Sequence, residues 1–329
     1  MFLQRYSLRE HPFRMTPDAR LFFASSIHSK AYAHLMYGLA QLEGFVVVTG
    51  EVGAGKTTLV ERLCAELDPT GFVVVRVVTT QVSGEDLLRL VANALGVPSE
   101  GTKAAILRDV METMRAGGAA GRRHLLIVDE AQALPQSALE ELRMLSNISD
   151  KAHALLQTIL LGQPQLRRVL ASPDLDQLRQ RVLASCHLGG LSRGETHAYV
   201  EHRLRAVGWD GDPSWDEGAL DLVHEFSGGI PRRINRLCSR VLLSGALEDS
   251  SRLTVQMVEA TAQELEADLG GSGTDAHRPP SEPTPTAPSA EAFDDALHRI
   301  EALEQQMRRR ERVFRRLTAL FSDAGGGRQ

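Results

Sequence analysis

Residues 49 to 59, TGEVGAGKTTL, follow directly on the apolar run Phe45-Val46-Val47-Val48 and lead into a run of good helix formers. Gly50, Gly55, Lys56 and Thr57 satisfy G-x-x-x-x-G-K-[S/T]. In that pattern the glycines let the backbone wrap a phosphate, while N–H groups at the start of the next helix point at it. A strand, a glycine loop and a helix in that order commit the chain to an α/β fold built on a parallel sheet. The loop residues Gly50, Glu51, Val52, Gly53, Ala54, Gly55, Lys56, Thr57 and Thr58 are expected to enclose the phosphates of ATP. Lys56 would reach the β- and γ-phosphates and the Thr57 hydroxyl would coordinate Mg²⁺. Of 37 basic residues only Lys30, Lys56, Lys103 and Lys151 are lysines, so one falling at this place is not an accident of composition.

A nucleotide hydrolase also needs a carboxylate for the metal and a group that orients or deprotonates water. HLLIVDEAQ (124 to 132) offers both. The apolar run Leu125 to Val128 ends in Asp129 and Glu130, so the acids fall at the C-terminal edge of a buried strand, where ligands of open α/β sheets bind. Asp129 is expected to hold the metal and Glu130 to activate the nucleophile.

Strand-like runs at 45 to 49, 72 to 78, 124 to 130, 155 to 161 and 182 to 188 alternate with helical patterns to about Leu67, near 84 to 95, 102 to 115 and 136 to 146. Strands bounded by helices at this spacing argue for a parallel sheet covered on both faces. From Ser192 onward the pattern reads as all helix, with Ser192 and Glu195 spaced as a capping box and Pro231 in the first turn of another helix. The expected divisions are an N-terminal segment packed on the core (1–44), the core (45–190), a helical subdomain (191–269), a linker rich in Gly, Pro, Ser and Thr (270–291) and a heptad helix (292–322). In that last segment Phe293, Ile300, Met307, Phe314 and Phe321 recur every seven residues, although Arg310 interrupts the companion seam.

The formal net charge of −5 gives no overall drive toward nucleic acid or an anionic membrane. Three scattered cysteines suggest neither a disulfide framework nor a metal cluster. No apolar run approaches the roughly 18 residues of a membrane span. The cytoplasm is the expected location.

GEVGAGKTT with IVDEAQ, LLGQPQLRRVL, LRQRV and GGIPRRINRLC, together with the opening LREHPFRMTPDARLFFASSIHSKAYAHLMYGL, resembles the AAA+ ATPases of the ExeA or general-secretion-pathway-A type over about residues 1 to 265. The resemblance implies a P-loop NTPase core of the AAA+ kind followed by an all-helical lid. It places Gln163 as the sensor of the γ-phosphate and Arg181 as an arginine finger acting on a neighbouring subunit, with Arg179 as its rival. Arg232 takes the place of the lid sensor, with Arg233 as the alternate. Pro12, Phe13, Tyr32 and His34 are candidates to border the adenine, and aromatic residues there are equally suited to pack under the sheet. Full-length members, the resemblance implies, carry a transmembrane segment and a peptidoglycan-binding part after the ATPase. This sequence has neither, and its linker leads to an arginine-rich heptad helix suited to self-association, partner docking or peripheral contact with a membrane surface.

The expectation is an oligomerising, Mg²⁺-dependent ATPase that powers or gates assembly of an envelope secretion or export system with protein partners. Two other readings stay open. One is a DNA-dependent regulatory ATPase of the transposition target-selection kind, with Arg232, Arg233, Arg236 and Arg240 lining a channel. The other is a nucleotide-dependent scaffold that recruits partners through its C-terminal helix.

Overall fold

The structure, a computed structural model, describes residues 2–16, 19–78, 83–150 and 153–270. The expected heptad helix lies outside them, as does the expected linker apart from Gly270, the last residue of a helix. Five strands, β1 (Phe45–Gly50), β2 (Phe72–Val78), β3 (Arg123–Asp129), β4 (Leu156–Gly162) and β5 (Val182–Leu188), form one sheet in the order β2-β3-β4-β1-β5. Every pairing in it is parallel. The inner strands β1 and β4 are buried at every position, which is why they read as unbroken apolar runs. The edge strands β2 and β5 alternate between buried and more exposed residues toward their C-terminal ends.

Side chains along a strand point to opposite faces in turn, and the two faces of this sheet feed two cores. Val46 and Val48, with Leu125, Ile127, Ile159 and Leu161, pack against Leu35 and Leu39 of α1 (Ser26–Gln41) and Leu59 and Leu63 of α2 (Lys56–Glu66). Phe45 and Val47, with Leu126, Val128 and Leu160, pack against three other helices. These are α3 (Gly84–Ala94), α4 (Lys103–Ala119) and α5 (Gln136–Ser146). α4 runs past the expected end near residue 115 through Gly117 and Gly118. A Cβ on Gly117 would sit 2.5 Å from the His124 ring, so this helix crosses β3 too closely for any side chain at that point.

After the short helix α6 (Gln165–Leu170) and β5 comes a helical part of α7 (Arg193–Ala206), α8 (Ala219–Ser227), α9 (Pro231–Leu247) and α10 (Val255–Gly270). One correction applies to the all-helix reading: Ser214–Trp215 pairs in parallel with Arg252–Leu253. A second concerns the N-terminal segment, expected to pack on the core. Phe2, Tyr6, Leu8, Phe13 and Leu21 instead join Val200, Leu204, Val223, Ile234, Val241 and Val258 in the core of the helical part. The Tyr6 hydroxyl donates to Ser250 O at 3.0 Å and Arg5 pairs with Asp249 at 2.5 Å. Apolar residues scattered without a period cannot tile a sheet face, but they fill the clefts between helices. Only from Ser26 on does the segment lie on the sheet.

The helical part is tied to α1 by one carboxylate. Ser192 and Glu195 form the capping box of α7, and Glu195 Oε1 also accepts from Ser26 N at 2.7 Å, at the start of α1. Partial burial pushes the Glu195 carboxyl up, but hydrogen bonds from Ser26 and Ser192 outweigh it and hold the group down at about 2. No described helix is long and apolar enough to cross a membrane.

Because the folded-state pKa is depressed, this tie contributes fully above about 4.5 and is lost as pH falls toward about 2. Glu195→Gln should therefore cost about 1 kcal/mol near neutrality, the scale of a lost helix cap at a partly exposed site. Denaturant unfolding of variant and wild type should converge as the pH is lowered through that window.

Candidate active site

β1, β3 and β4 end level at one edge of the sheet, with β4 between the other two. The glycine loop, the two acids and Gln163 all leave that edge. Beyond Gly50 the chain turns through Gly53 and Gly55, at φ +84° and +96°, before α2 begins at Lys56. A Cβ on Gly53 would stand 2.1 Å from Cβ of Arg232, and Arg232 N donates to Gly53 O at 3.2 Å. The first turn of α9 thus rests directly on the loop.

Lys56 is 6% exposed, and its Nζ donates to the carbonyls of Gly50 (2.7 Å) and Glu51 (3.0 Å). Burial lowers its pKa, opposed by the charges of Glu130, Asp129 and Glu51. The Thr57 hydroxyl donates to Asp129 Oδ2 at 3.1 Å, which joins the start of α2 to the end of β3. Val52, Gly53, Gly55, Lys56, Thr57 and Thr58 border a cavity of about 360 Å³. Gly50, Glu51 and Ala54 lie behind that surface and hold its shape through their carbonyls.

Glu130 has φ +52°, a left-handed backbone uncommon for a side chain of this kind. Its N–H donates to Asp129 Oδ1 at 2.9 Å and its carbonyl accepts from Ala133 N at 2.9 Å, which fixes the turn. The carboxylate accepts from Gln132 Nε2 (2.6 Å) and Gln163 Nε2 (3.1 Å), while Gln132 Oε1 accepts from Gln163 N (2.8 Å). Partial burial pushes the Glu130 carboxyl up, but the two amides and the Lys56 charge prevail and its pKa lies below the usual value.

Two residues that the sequence reading assigned no role complete this geometry. Gln132 stands in the quoted DEAQ string, where its distance of two from Glu130 was the available signal. His28 is buried under the loop; its Nε2 lies 3.0 Å from the Ala54 carbonyl and so donates to it, leaving Nδ1, 2.7 Å from Ser25 Oγ, to accept. It is 26 positions from Ala54 and nothing local in the sequence announces it.

Arg232, not Arg233, borders the cavity. Arg181 is elsewhere: it precedes β5, so the seven residues of that strand, at about 3.3 Å each, put it roughly 20 Å from the loop edge. Its Nη1 reaches Ser146 Oγ at 3.5 Å, whereas Arg179 is paired with Asp176 at 2.6 Å. Of the arginines set out as a channel, Arg232 faces the cavity and Arg240 is paired with Asp268 at 2.8 Å. The candidates for the adenine border are displaced as well. Pro12, Phe13, Tyr32 and His34 do not border the cavity; Arg14, Met15, Thr16, Leu21, Phe22 and Phe23 do, because the segment passes the opening on its way from the helical part to α1.

Residues 40–170 match the family described as AAA domain. The chain is also 38% identical over 269 residues to General secretion pathway protein A of Aeromonas hydrophila, across 80% of this chain and 48% of that protein. The chain carries an AAA domain and is similar, over most of its length, to a general-secretion-pathway-A protein. A shorter match, 34% over 95 residues, is to Nucleoside-triphosphatase THEP1 of Thermococcus kodakarensis, covering 29% of this chain and 51% of that one. The chain spans about half the length of the curated relatives it matches. Among solved structures, Cdc6p of Pyrobaculum aerophilum superposes with a TM-score of 0.61 at 16% identity over 77% of this chain and 70% of its own. The ORC2 protein of Aeropyrum pernix, as ADPNP-ADP complexes, does so with 0.56 at 17% over 74% and 75%. At such identities the likeness is one of fold: an AAA+ core with a parallel sheet under helices, then a helical lid.

Gly53→Ala in this AAA+ chain should cost about 1–2 kcal/mol from the left-handed backbone alone, and more because the added methyl meets α9. Urea unfolding measures the loss. A loss no larger than that backbone cost would mean that loop and lid are not in contact in solution.

Proposed function

We propose that this AAA+ protein hydrolyses ATP with Mg²⁺ and works as an oligomer that powers or gates assembly of an envelope secretion or export system, from the cytoplasmic side. The observation that carries the hydrolytic reading is the Glu130 carboxylate, ionised and held by two amides, beside a loop that presents a buried lysine and a Thr–Asp pair. A protein that only binds nucleotide has no need of such a base.

The residues fit the substrate. The left-handed backbone at Gly53 and Gly55, where an added Cβ would run into Arg232 and His28, lets the loop curve so that its N–H groups can approach phosphate oxygens. Lys56 would exchange its two carbonyl partners for oxygens of the β- and γ-phosphates. The Thr57 hydroxyl and Asp129 carboxylate would hold Mg²⁺, which supplies neutralisation of the phosphate charge when bound. Glu130 would orient the attacking water and take its proton as the oxygen bonds to the γ-phosphorus and the bond to the β-phosphate oxygen breaks, giving ADP and inorganic phosphate. Gln163, already bonded to Glu130, would report the γ-phosphate to that base. Arg232, on the helix that rests on the loop, would carry the same information to the lid.

Arg181 lies too far from its own loop to act there, which supports its use by a neighbouring subunit. Arg179 is paired with Asp176, whereas among the described residues no carboxylate pairs with Arg181, which favours Arg181. The envelope role rests on similarity to General secretion pathway protein A and is a proposal for this chain, as are its protein partners.

Glu130→Gln should keep ATP affinity and lose about 10²- to 10⁴-fold in turnover, the usual worth of a general base. Lys56→Ala should lose affinity itself. Phosphate-release and calorimetric assays separate the two, and equal turnover by Glu130→Gln and wild type would overturn the assignment of the base. Arg181→Ala should bind without hydrolysing, and mixing it with Lys56→Ala should restore part of the activity if the finger acts between subunits. A mixture as inactive as either variant alone removes the sharing.

A further inference from the structure

The cavity has two unlike ends. At one, the loop offers N–H groups, Lys56 and Thr57. At the other, Met15, Leu21, Phe22 and Phe23 give apolar walls, and Tyr199 stands edge-on to Phe23 at 5.9 Å. Arg203 of α7 borders the cavity beside Tyr199 and is 6% exposed. Its guanidinium lies over the Tyr199 ring at 5.5 Å, and Nη1 donates to the Tyr199 hydroxyl at 2.7 Å. That hydroxyl donates onward to Asn235 Oδ1 at 2.8 Å, and Asn235 Nδ2 donates to Arg14 O at 3.3 Å. The relay uses up Tyr199 and the Asn235 oxygen internally. Arg203 Nε has no partner, and among the described residues no carboxylate pairs with the guanidinium.

A guanidinium remains charged in any protein environment. Burying one without an anion or a full set of acceptors is costly, and folded chains keep such a group where something outside the fold completes it. A cation with unmet donors, at the aromatic end of a cavity whose other end suits phosphates, asks for an acceptor carried on a flat apolar ring. We propose that Arg203 determines recognition of the base end of the nucleotide, its guanidinium donating to a ring-nitrogen or carbonyl acceptor of a purine. The inference rests on the nucleotide reading of the cavity and adds the residue that distinguishes a nucleoside triphosphate from a bare polyphosphate. The relay through Tyr199 and Asn235 to the Arg14 carbonyl sets the orientation of that guanidinium against α7, α9 and the N-terminal segment.

The test compares wild type, Arg203→Met and Arg203→Lys in the full chain by calorimetric titration with Mg-ATP and with Mg-tripolyphosphate, which has the phosphates and no base, alongside thermal unfolding of the ligand-free proteins. Arg203→Met should lose roughly 10- to 100-fold in ATP affinity, the range for one hydrogen bond to a charged group. It should bind tripolyphosphate as wild type does, and unfold at the same or a higher temperature, since the substitution removes an uncompensated buried charge. Arg203→Lys, which keeps charge and a donor, should recover part of the ATP affinity. Unchanged ATP affinity in Arg203→Met overturns the proposal. So does an equal loss toward tripolyphosphate, which would make Arg203 a phosphate contact, and so does a lowered unfolding temperature with both ligands weakened, which would make it structural. If wild type binds neither ligand, the nucleotide reading of the cavity fails and this inference with it.

Discussion

One buried ammonium group organises this molecule. Lys56 sits at the start of α2, almost without solvent, and trades hydration for the carbonyls of Gly50 and Glu51. Those carbonyls are turned toward it only because β1 ends there and the chain folds back through two left-handed glycines. That turn requires a parallel sheet whose strands finish level, and the sheet requires helices on both faces to cover its unbroken apolar strands. Charge completes the arrangement from the neighbouring strand: Asp129 and Glu130 favour the charged lysine, and Lys56 in turn favours the ionised Glu130.

Much of this could be read from the sequence because it is local. The glycine spacing around Lys56, the apolar runs ending in Asp129 and Glu130, and the capping pair Ser192 and Glu195 each declare themselves within a dozen residues. Strand limits differ from expectation by a residue, and the loop, the two acids and Gln163 converge because β4 lies between β1 and β3. The rest depended on contacts distant in the chain. The packing of Phe2, Tyr6, Leu8, Phe13 and Leu21 among the lid helices follows from the shape of clefts between helices, which no period encodes. His28 acts on a carbonyl 26 residues away. α4 continues through Gly117 and Gly118 because His124 and Leu155 occupy the space beside them, a fact of packing and not of propensity.

Arg203 is an instructive intermediate. The buried positions of α7 are Thr196, Tyr199, Val200, Arg203 and Leu204, a spacing that marks the inward stripe of a helix. An arginine in that stripe was therefore visible as an inconsistency between pattern and residue type. Such conflicts concentrate where function overrides stability.

The course of the N-terminal segment has a mechanical consequence. Its first part is embedded among the lid helices, while α1, which begins five residues after Leu21, belongs to the sheet. The aromatic walls of the cavity therefore hang on a short tether between the lid helices and the sheet, whereas the glycine loop grows from the sheet and meets the lid at Arg232. Any tilt of the lid would drag Met15 and Phe22 across the mouth while the lysine stays still. A nucleotide lodged there, as proposed, would act as a rivet through both plates, and cutting its phosphate chain would loosen the joint from the inside.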